Sequence, residues 1–438
     1  MGLQVVRKGS RGRRSFTARF LLTILLLAPL AACRPHDGGG SSCASPPLPA
    51  GHWPQDCWHP FSNSSVFYSA LPDRSVLVAH SQPALAGPAQ HPPGNLAVSQ
   101  TGAGPGEPVF YAHATDPEFT LNCVNDDPGR PDHGCPIDTS KTGLKLRVPA
   151  GATPESNLSI VVGQPRKYDA HMIIIDENAK WEYDLWQVQS TSSWQQVQSN
   201  GLVVKGLDPA GGKIDFSWGG RIRLSDDGSA VNRTAGDPLD DANAAHWGET
   251  ADRVRAEELK AGVIKHALWL NIPCVSADPA VFPADPVGKA FSCSSKVTTE
   301  LGLHPLGTRF WLDMTPAEID ALTVPNWKKV FLRALANYGG FVGDTNADST
   351  RLFYIETEGG NMYSSLSDAN GQPYPDLWWQ LAQNNQWEPY QPPGGAPPEL
   401  VGKLYQAAGD NTDWAHTIWP KLRVLNACLT PASGQACT

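Results

Sequence analysis

The stretch from Asp169 to Gln187, DAHMIIIDENAKWEYDLWQ, constrains the fold of this chain more than any other. Two runs rich in Ile, Trp and Tyr flank the polar link Glu177 to Lys180, a four-residue spacing that hairpins commonly use, so antiparallel pairing is expected. That link sets Ile175 opposite Glu182, Ile173 opposite Asp184 and His171 opposite Trp186. Side chains alternate across a strand, which puts Met172, Ile174, Trp181, Tyr183 and Leu185 on one face and His171, Glu182, Asp184 and Trp186 on the other. The first face reads as core. The second carries two carboxylates, an imidazole and an indole, which suits a cleft for sugars, because sugar rings offer hydroxyls to acceptors and CH faces to aromatics. The same alternation also describes a strand with a solvated outer face. A three-residue loop would shift the register and regroup both sets.

Lys8, Arg11, Arg13, Arg14 and Arg19 precede the apolar run Phe20 to Leu30, the charged and apolar regions of a secretory signal. The run is too short to span a bilayer stably. It ends Leu30-Ala31-Ala32-Cys33, which resembles the bacterial lipobox. The resemblance implies that Cys33 is acylated and heads the mature chain; the alternative is an ordinary signal with an incidental Cys33. Arg34 follows the cysteine rather than Asp, which implies outer-membrane sorting if the host is Gram-negative. Pro35 to Ser42 is Gly- and Ser-rich, a flexible tether.

Export agrees with the cysteines. Without Cys33 eight remain, and the simplest pairing is local: Cys43 with Cys57, Cys123 with Cys135, Cys274 with Cys293, and Cys428 with Cys437. Zinc is the competing reading, disfavoured because no CxxC pair is present.

Beyond the signal and tether about 395 of the 438 residues remain, enough for one large or two ordinary domains. A net charge of −9 without a basic stripe in the mature region argues against nucleic acid as a partner. Abundant Gly and Pro with 15 Trp suit a loop-rich, largely β exported protein with aromatic binding surfaces. Strands are expected at 75–79, 108–112, 144–148, 158–162, 194–197, 202–204, 213–218 and 221–224. Short strands separated by turn signals point to a mainly β fold, a jelly-roll-like β-sandwich with inserted helices. The domain reading is a signal peptide over 1–32, a tether and disulfide segment over 33–60, the sandwich over 61–360, and a helical, aromatic-rich appendage over 361–438.

An acidic, Ala-rich insertion from Asp226 to Asp252 holds His246, Trp247 and Glu249, and a connection this long is more often functional than inert. Arg253 to Lys260 is expected to be a short helix ending near Gly262, and Val263 to Ile272 a strand. His266 lies among aliphatics there, as hydrogen-bonded core histidines do. Thr315 to Glu318 has the form of a capping box, and Trp327 to Tyr338 keeps helical spacing up to Gly339. Asp344, Asn346 and Asp348 resemble the opening of a calcium loop, but Ser349 replaces the expected Gly and Ile355 the closing acid; an Asp/Asn-rich turn is the alternative. The segments 377–382, 400–408 and 414–425 look helical.

The order of DAHMIIID, YDLW, RAEEL (Arg255 to Leu259), GVIKHAL (Gly262 to Leu268), PLGTRFWL (Pro305 to Leu312) and ALANYGGFVGD (Ala334 to Asp344) resembles an uncharacterised family of secreted bacterial β-sandwich proteins, often joined to carbohydrate-binding modules. The resemblance covers roughly residues 60 to 360 and implies no established reaction. His171, Asp176, Asp184, Trp186, Glu258, His266, Arg309, Tyr338 and Asp344 sit within its motifs. The family usually has Glu in place of Asp184, and more Gly or Ser before the Arg-containing helix.

Glu182 to Gln187 is also similar to the E-x-D-x-x-E strand of retaining jelly-roll glucanases, but Gln187 cannot transfer the proton that the last acid would. Glu182 and Asp184, roughly 6.5 to 7 Å apart as same-face neighbours, could still cooperate. Three functions follow. One is a polysaccharide-cleaving hydrolase that pairs Asp184 with Asp176, Glu182 or Asp344. The second is a non-catalytic protein binding a polysaccharide or cell-surface glycan through Trp181, Trp186 and Trp247, with Tyr338 also a candidate contact. The third is a uronate lyase in which Arg309 neutralises the substrate carboxylate while His171, His266 or Tyr338 removes the α proton. No organic cofactor is expected, and calcium enters only through the Asp344 loop. His171, Asp184, His266 and Arg309 are expected to share one concave cleft.

Overall fold

In the computed structural model the hairpin forms in the expected register. Met172–Asp176 pairs antiparallel with Trp181–Trp186, Ile173 opposite Asp184 and Ile175 opposite Glu182. The run Ile173-Ile174-Ile175 suits a pleated surface because β-branched side chains pack well there. The turn is fixed by Asp176, whose carboxylate accepts the N–H groups of Asn178 and Ala179 at 2.9 and 2.8 Å. Val109–Ala112 adds in parallel to Met172–Asp176, and Trp218–Arg223 adds antiparallel to Trp181–Trp186, completing a four-stranded sheet.

The structure describes residues 58–84, 95–99, 107–123, 143–149, 152, 154, 170–190, 195–197, 203–205, 212–235, 243–286, 288, 290, 293, 304–345, 354–355, 357–358, 377–390, 399–403 and 417–427. By internal contacts the chain divides into Met1–Ser42 and Cys43–Thr438, and every described residue belongs to the second unit. Among the described residues no helix is long and apolar enough to cross a membrane.

A second, six-stranded sheet has the order Ser81–Pro83, Leu422–Leu425, Arg309–Leu312, Gly340–Thr345, Leu268–Ile272, Tyr354–Ile355. The helix Asn326–Asn337 returns the chain from Arg309–Leu312 to Gly340–Thr345 and buries Trp327, Val330, Phe331, Ala334 and Leu335. Before it, Pro316–Asp320 begins at the expected capping box: the Thr315 hydroxyl accepts the Glu318 N–H, and the Glu318 carboxylate accepts the Thr315 N–H at 2.7 Å. Further sheets join Lys145–Arg147, Glu118–Cys123, Gly212–Phe216 and Gln189–Ser190, and Glu388–Tyr390, Glu399–Lys403 and Asn95–Ser99.

The chain is thus rich in strands, with helices inserted. Among the described residues three strand pairings are parallel, a feature the jelly-roll expectation did not include. Local expectations also shift. Residues 75–79 fall in a helix, Arg74–Ala79, which buries Leu77. Glu399–Lys403, expected as helix, is a strand, and 414–425 yields the short 3-10 turn Trp419–Lys421 followed by the strand Leu422–Leu425. The alternation of buried Leu422 and Val424 with part-exposed Arg423 is a strand period that the neighbouring tryptophans obscured. Pairing with Ser81–Pro83 and Arg309–Leu312 draws this C-terminal stretch into the six-stranded sheet. Cys274 and Cys293 form a disulfide with Cα atoms 5.0 Å apart, and Cys123 is disulfide-bonded. Cys33, Cys43, Cys57, Cys135, Cys428 and Cys437 lie outside the described residues.

Phe67, Trp247, Trp269 and Phe341 meet in the core with ring centroids 5.2 to 6.2 Å apart. Near this core Gly307 has φ +81°, and a Cβ there would lie 1.7 Å from the Val281 carbonyl oxygen. Its own N–H bonds the Val342 carbonyl at 2.8 Å, so the backbone cannot withdraw. Gly307→Ala is therefore expected to cost about 3 kcal/mol from combined backbone strain and overpacking. A urea titration checks this; an unchanged midpoint would show that the turn relaxes.

Candidate functional site

The register of the central sheet defines the site. Val109 lies opposite Ile173, Met172 opposite Leu185, and Trp218 opposite Trp186. Extending each pairing by one or two residues lines up Glu107, His171, Trp186 and Trp218 across one end of the sheet, on one face. One row inward come Val109, Ile173, Asp184 and Gly220, and beyond it Tyr111, Ile175, Glu182 and Ile222. Every residue of the hairpin strands is buried, including Glu182 and Asp184, so the polar face is interior rather than an open cleft.

The cover over Glu182 is part of the acidic insertion. The Asn243 carboxamide accepts the Ala245 N–H at 3.0 Å and donates to the Trp247 carbonyl at 2.7 Å, closing a turn. Trp247 is thereby driven into the aromatic core. Gly248 follows, where a Cβ would approach Glu182 Oε1 to 3.0 Å and Phe61 to 2.4 Å, so only glycine lets the segment lie this close. The Thr250 hydroxyl and N–H both donate to Glu182, which anchors the cover to the sheet.

This docking delivers Glu249 and Arg253 to the row. Arg253 is 2% exposed, with its guanidinium 4.6 Å over the Trp269 ring. Its Nη2 bonds Glu249 Oε2 and lies 3.0 Å from Glu107 Oε1, while Nε donates to Glu249 at 3.1 Å. Glu107 turns its other oxygen, Oε2, to His171 Nδ1 at 3.5 Å. One ligand atom from each of Glu107, His171 and Glu249 lies within 4.8 Å of the other two. Beside them Trp186, Trp218 and His246 stack edge to face at 6.2 and 6.0 Å, and His246 Nδ1 is 3.8 Å from Asp285. Ala170, Gln187 and His246 all have positive φ, backbone strain of a kind that gathers at functional sites.

A second polar group lies along Arg255. Its Nη2 donates to the Trp58 carbonyl at 2.8 Å, and its N–H to Glu258 at 2.9 Å. His266 Nε2 meets Glu258 at 3.0 Å, while Nδ1 faces the Ala267 carbonyl at 2.6 Å. Tyr111 donates to Glu358 at 3.2 Å. Burial pushes Glu358 well above the usual carboxylate range, against the pull of Arg255. Burial also raises Glu258, but the opposed attraction of His266 and Arg255 with their hydrogen bonds wins, and its pKa falls below the ordinary 4.5. A depressed carboxylate contributes stability above its unfolded pKa, and that stability is lost as pH falls through the folded value. Glu258→Gln should therefore destabilise the chain by about 3 kcal/mol near pH 7, with the difference closing below the ordinary 4.5. Urea midpoints at several pH values test this, and a pH-independent difference would contradict it.

The other expected site residues have different settings. Asp176 serves the hairpin turn. Trp181 is on the opposite face, with the guanidinium carbons of Arg221 and Arg223 4.2 and 4.4 Å from its ring centroid. Trp247 is fully buried and donates to Asp252. Arg309 donates to the carbonyls of Ser69 and Tyr338, a main-chain clamp, and burial lowers its pKa to about 9. Tyr338 ends the Asn326–Asn337 helix. Asp344 accepts the Thr345 N–H at 2.6 Å, and its proposed calcium partners Asn346 and Asp348 lie outside the described residues. His171 therefore belongs to the row and Asp184 lies one row inward on the same face, while His266 and Arg309 have polar partners of their own. Glu107 carries no local motif, although it precedes a strand at the edge of the hairpin, and the sequence marks Glu249 only as part of the acidic insertion. No protein-family model, curated protein or solved structure matches the chain.

Proposed function

We propose that the chain is an exported, lipid-anchored, polysaccharide-cleaving hydrolase whose active centre is the Glu107, His171, Trp186 and Trp218 end of the central sheet. The observation that carries this reading is the meeting of carboxylates, an imidazole and two indoles from five separated stretches of sequence. Glycosidic cleavage needs one carboxyl to protonate the leaving oxygen and a second group to activate water or form the covalent intermediate. Glu107 and Glu249 stand close enough to act together, and Asp184 is a third carboxylate one row inward. Trp186 and Trp218, 7% and 6% exposed, form the apolar edge of this buried row, against which a sugar ring would have to pack.

The signal-like N-terminus, the lipobox-like Cys33 and the disulfides support export, with outer-membrane attachment in a Gram-negative host. The resemblance to secreted proteins joined to carbohydrate-binding modules supports a glycan substrate. In this reading the four- and six-stranded sheets are the two layers of the expected sandwich.

Non-catalytic glycan binding is the second reading, favoured by Arg253, which pairs with both glutamates. A uronate lyase would use Arg253 rather than Arg309 as the cation for a substrate carboxylate. Product analysis separates them on a panel of neutral and acidic polysaccharides. New reducing ends without ultraviolet absorbance mean hydrolysis, an absorbing unsaturated uronide means a lyase, and retention without product means a binding protein.

A further inference from the structure

We infer that Glu107, His171 and Glu249 form a binding site for one divalent first-row transition-metal ion. The inference names a cofactor for the site read above as catalytic, and rests on that reading only for the ion's part in hydrolysis.

A ligand atom from each of the three lies within 4.8 Å of the others, and His171 Nδ1 is already 3.5 Å from Glu107 Oε2. Such ions hold imidazole nitrogen and carboxylate oxygen at about 2.0–2.2 Å, which sets tetrahedral ligands roughly 3.3–3.5 Å apart. One pair therefore has the required spacing, and Glu249, within 4.8 Å of both, would complete the set by closing on the same point. The three ligands come from the start of one strand, the start of another and the covering segment. The fold itself, rather than a local sequence motif, brings them together.

The donor set selects the ion. An imidazole with two carboxylates suits zinc, manganese or cobalt better than calcium or magnesium, which prefer oxygen donors throughout. Charge agrees. Two carboxylates and Arg253 sum to −1 with a neutral imidazole, so a divalent ion would leave +1, and Asp184 in the adjoining row can balance it.

Arg253 is the obvious rival for these carboxylates, but its Nη2 takes Oε1 of Glu107, whereas Oε2 is the oxygen turned to His171. The guanidinium, fixed over Trp269, thus orients the carboxylates from outside, as carboxylate-bound partners do in many metal sites.

The test uses the full chain, without an affinity tag, stripped by chelator and titrated with Zn²⁺, Mn²⁺ and Co²⁺ by calorimetry, with visible absorption for Co²⁺. One ion per chain is expected, bound at least about 100-fold more weakly by His171→Gln and by Glu249→Gln. Absence of saturable binding by the native chain at millimolar ion, or equal affinity in native chain and variants, would overturn the proposal. Should a variant misfold, electron spin-echo spectroscopy of the Mn²⁺-loaded native chain decides: nitrogen coupling from one imidazole supports the site, and its absence overturns it. No sugar is present in these titrations. A chain that binds the ion yet cleaves nothing would remove the hydrolase reading alone, and one that cleaves without binding would remove the metal alone.

Discussion

Arg253→Met is expected to destabilise the chain by about 3–5 kcal/mol, a large part of the stability of an ordinary domain. The guanidinium is 2% exposed and joins Glu249 to Glu107. Methionine fills similar volume over Trp269, so packing changes little, but in the metal-free chain two buried carboxylates then face each other with only the His171 imidazole beside them. Each would have to take up a proton or draw in water, and burial makes either expensive. The same reasoning predicts a rescue: adding Glu107→Gln and Glu249→Gln removes the uncompensated charge and should restore much of the loss. Urea denaturation followed by tryptophan fluorescence measures all three proteins. A single variant within about 1 kcal/mol of the native chain would show that the ion pairs carry no net stability.

Glu249→Gln is expected to lower kcat for polysaccharide cleavage by about 10³-fold while the fold persists. Gln is isosteric and can still accept from Arg253, so the covering segment should stay docked through Thr250 and Glu182. What is lost is a carboxylate that can exchange a proton or hold a cation beside His171. KM should change little, because the substitution keeps the size of the side chain and its hydrogen bond to Arg253. A variant with native kcat would exclude Glu249 from the chemistry, whereas a rise in KM alone would make it a binding residue.

The hairpin was legible from sequence because its loop length and period-two pattern fix the register, and Ile173 does lie opposite Asp184. Which face would be covered was not legible. A polar face on a strand looks the same whether it meets water or a folded-back segment, and here the residues after Asn243 cover it. Trp247 looked like a sugar platform because exposed and core tryptophans are identical in sequence; only the turn at Asn243 decides that it points inward. Glu107 escaped notice because its role depends on parallel pairing with a strand more than 60 residues later, a contact that local pattern cannot reveal. The C-terminal strand Leu422–Leu425 looks helical in sequence because four residues are too few to separate the two periods. Its pairing with Arg309–Leu312 is a tertiary decision.

The most direct test of the account is reducing-end release by the native chain, by Glu249→Gln and by Asp344→Asn on the same polysaccharide panel. Asp344 was an equally good acid by sequence but lies in the six-stranded sheet, bonded to the Thr345 N–H. Release is expected from the native chain and from Asp344→Asn, with almost none from Glu249→Gln. Loss in Asp344→Asn with full release by Glu249→Gln would put the active centre elsewhere, and no release from any of the three would contradict the hydrolase reading itself.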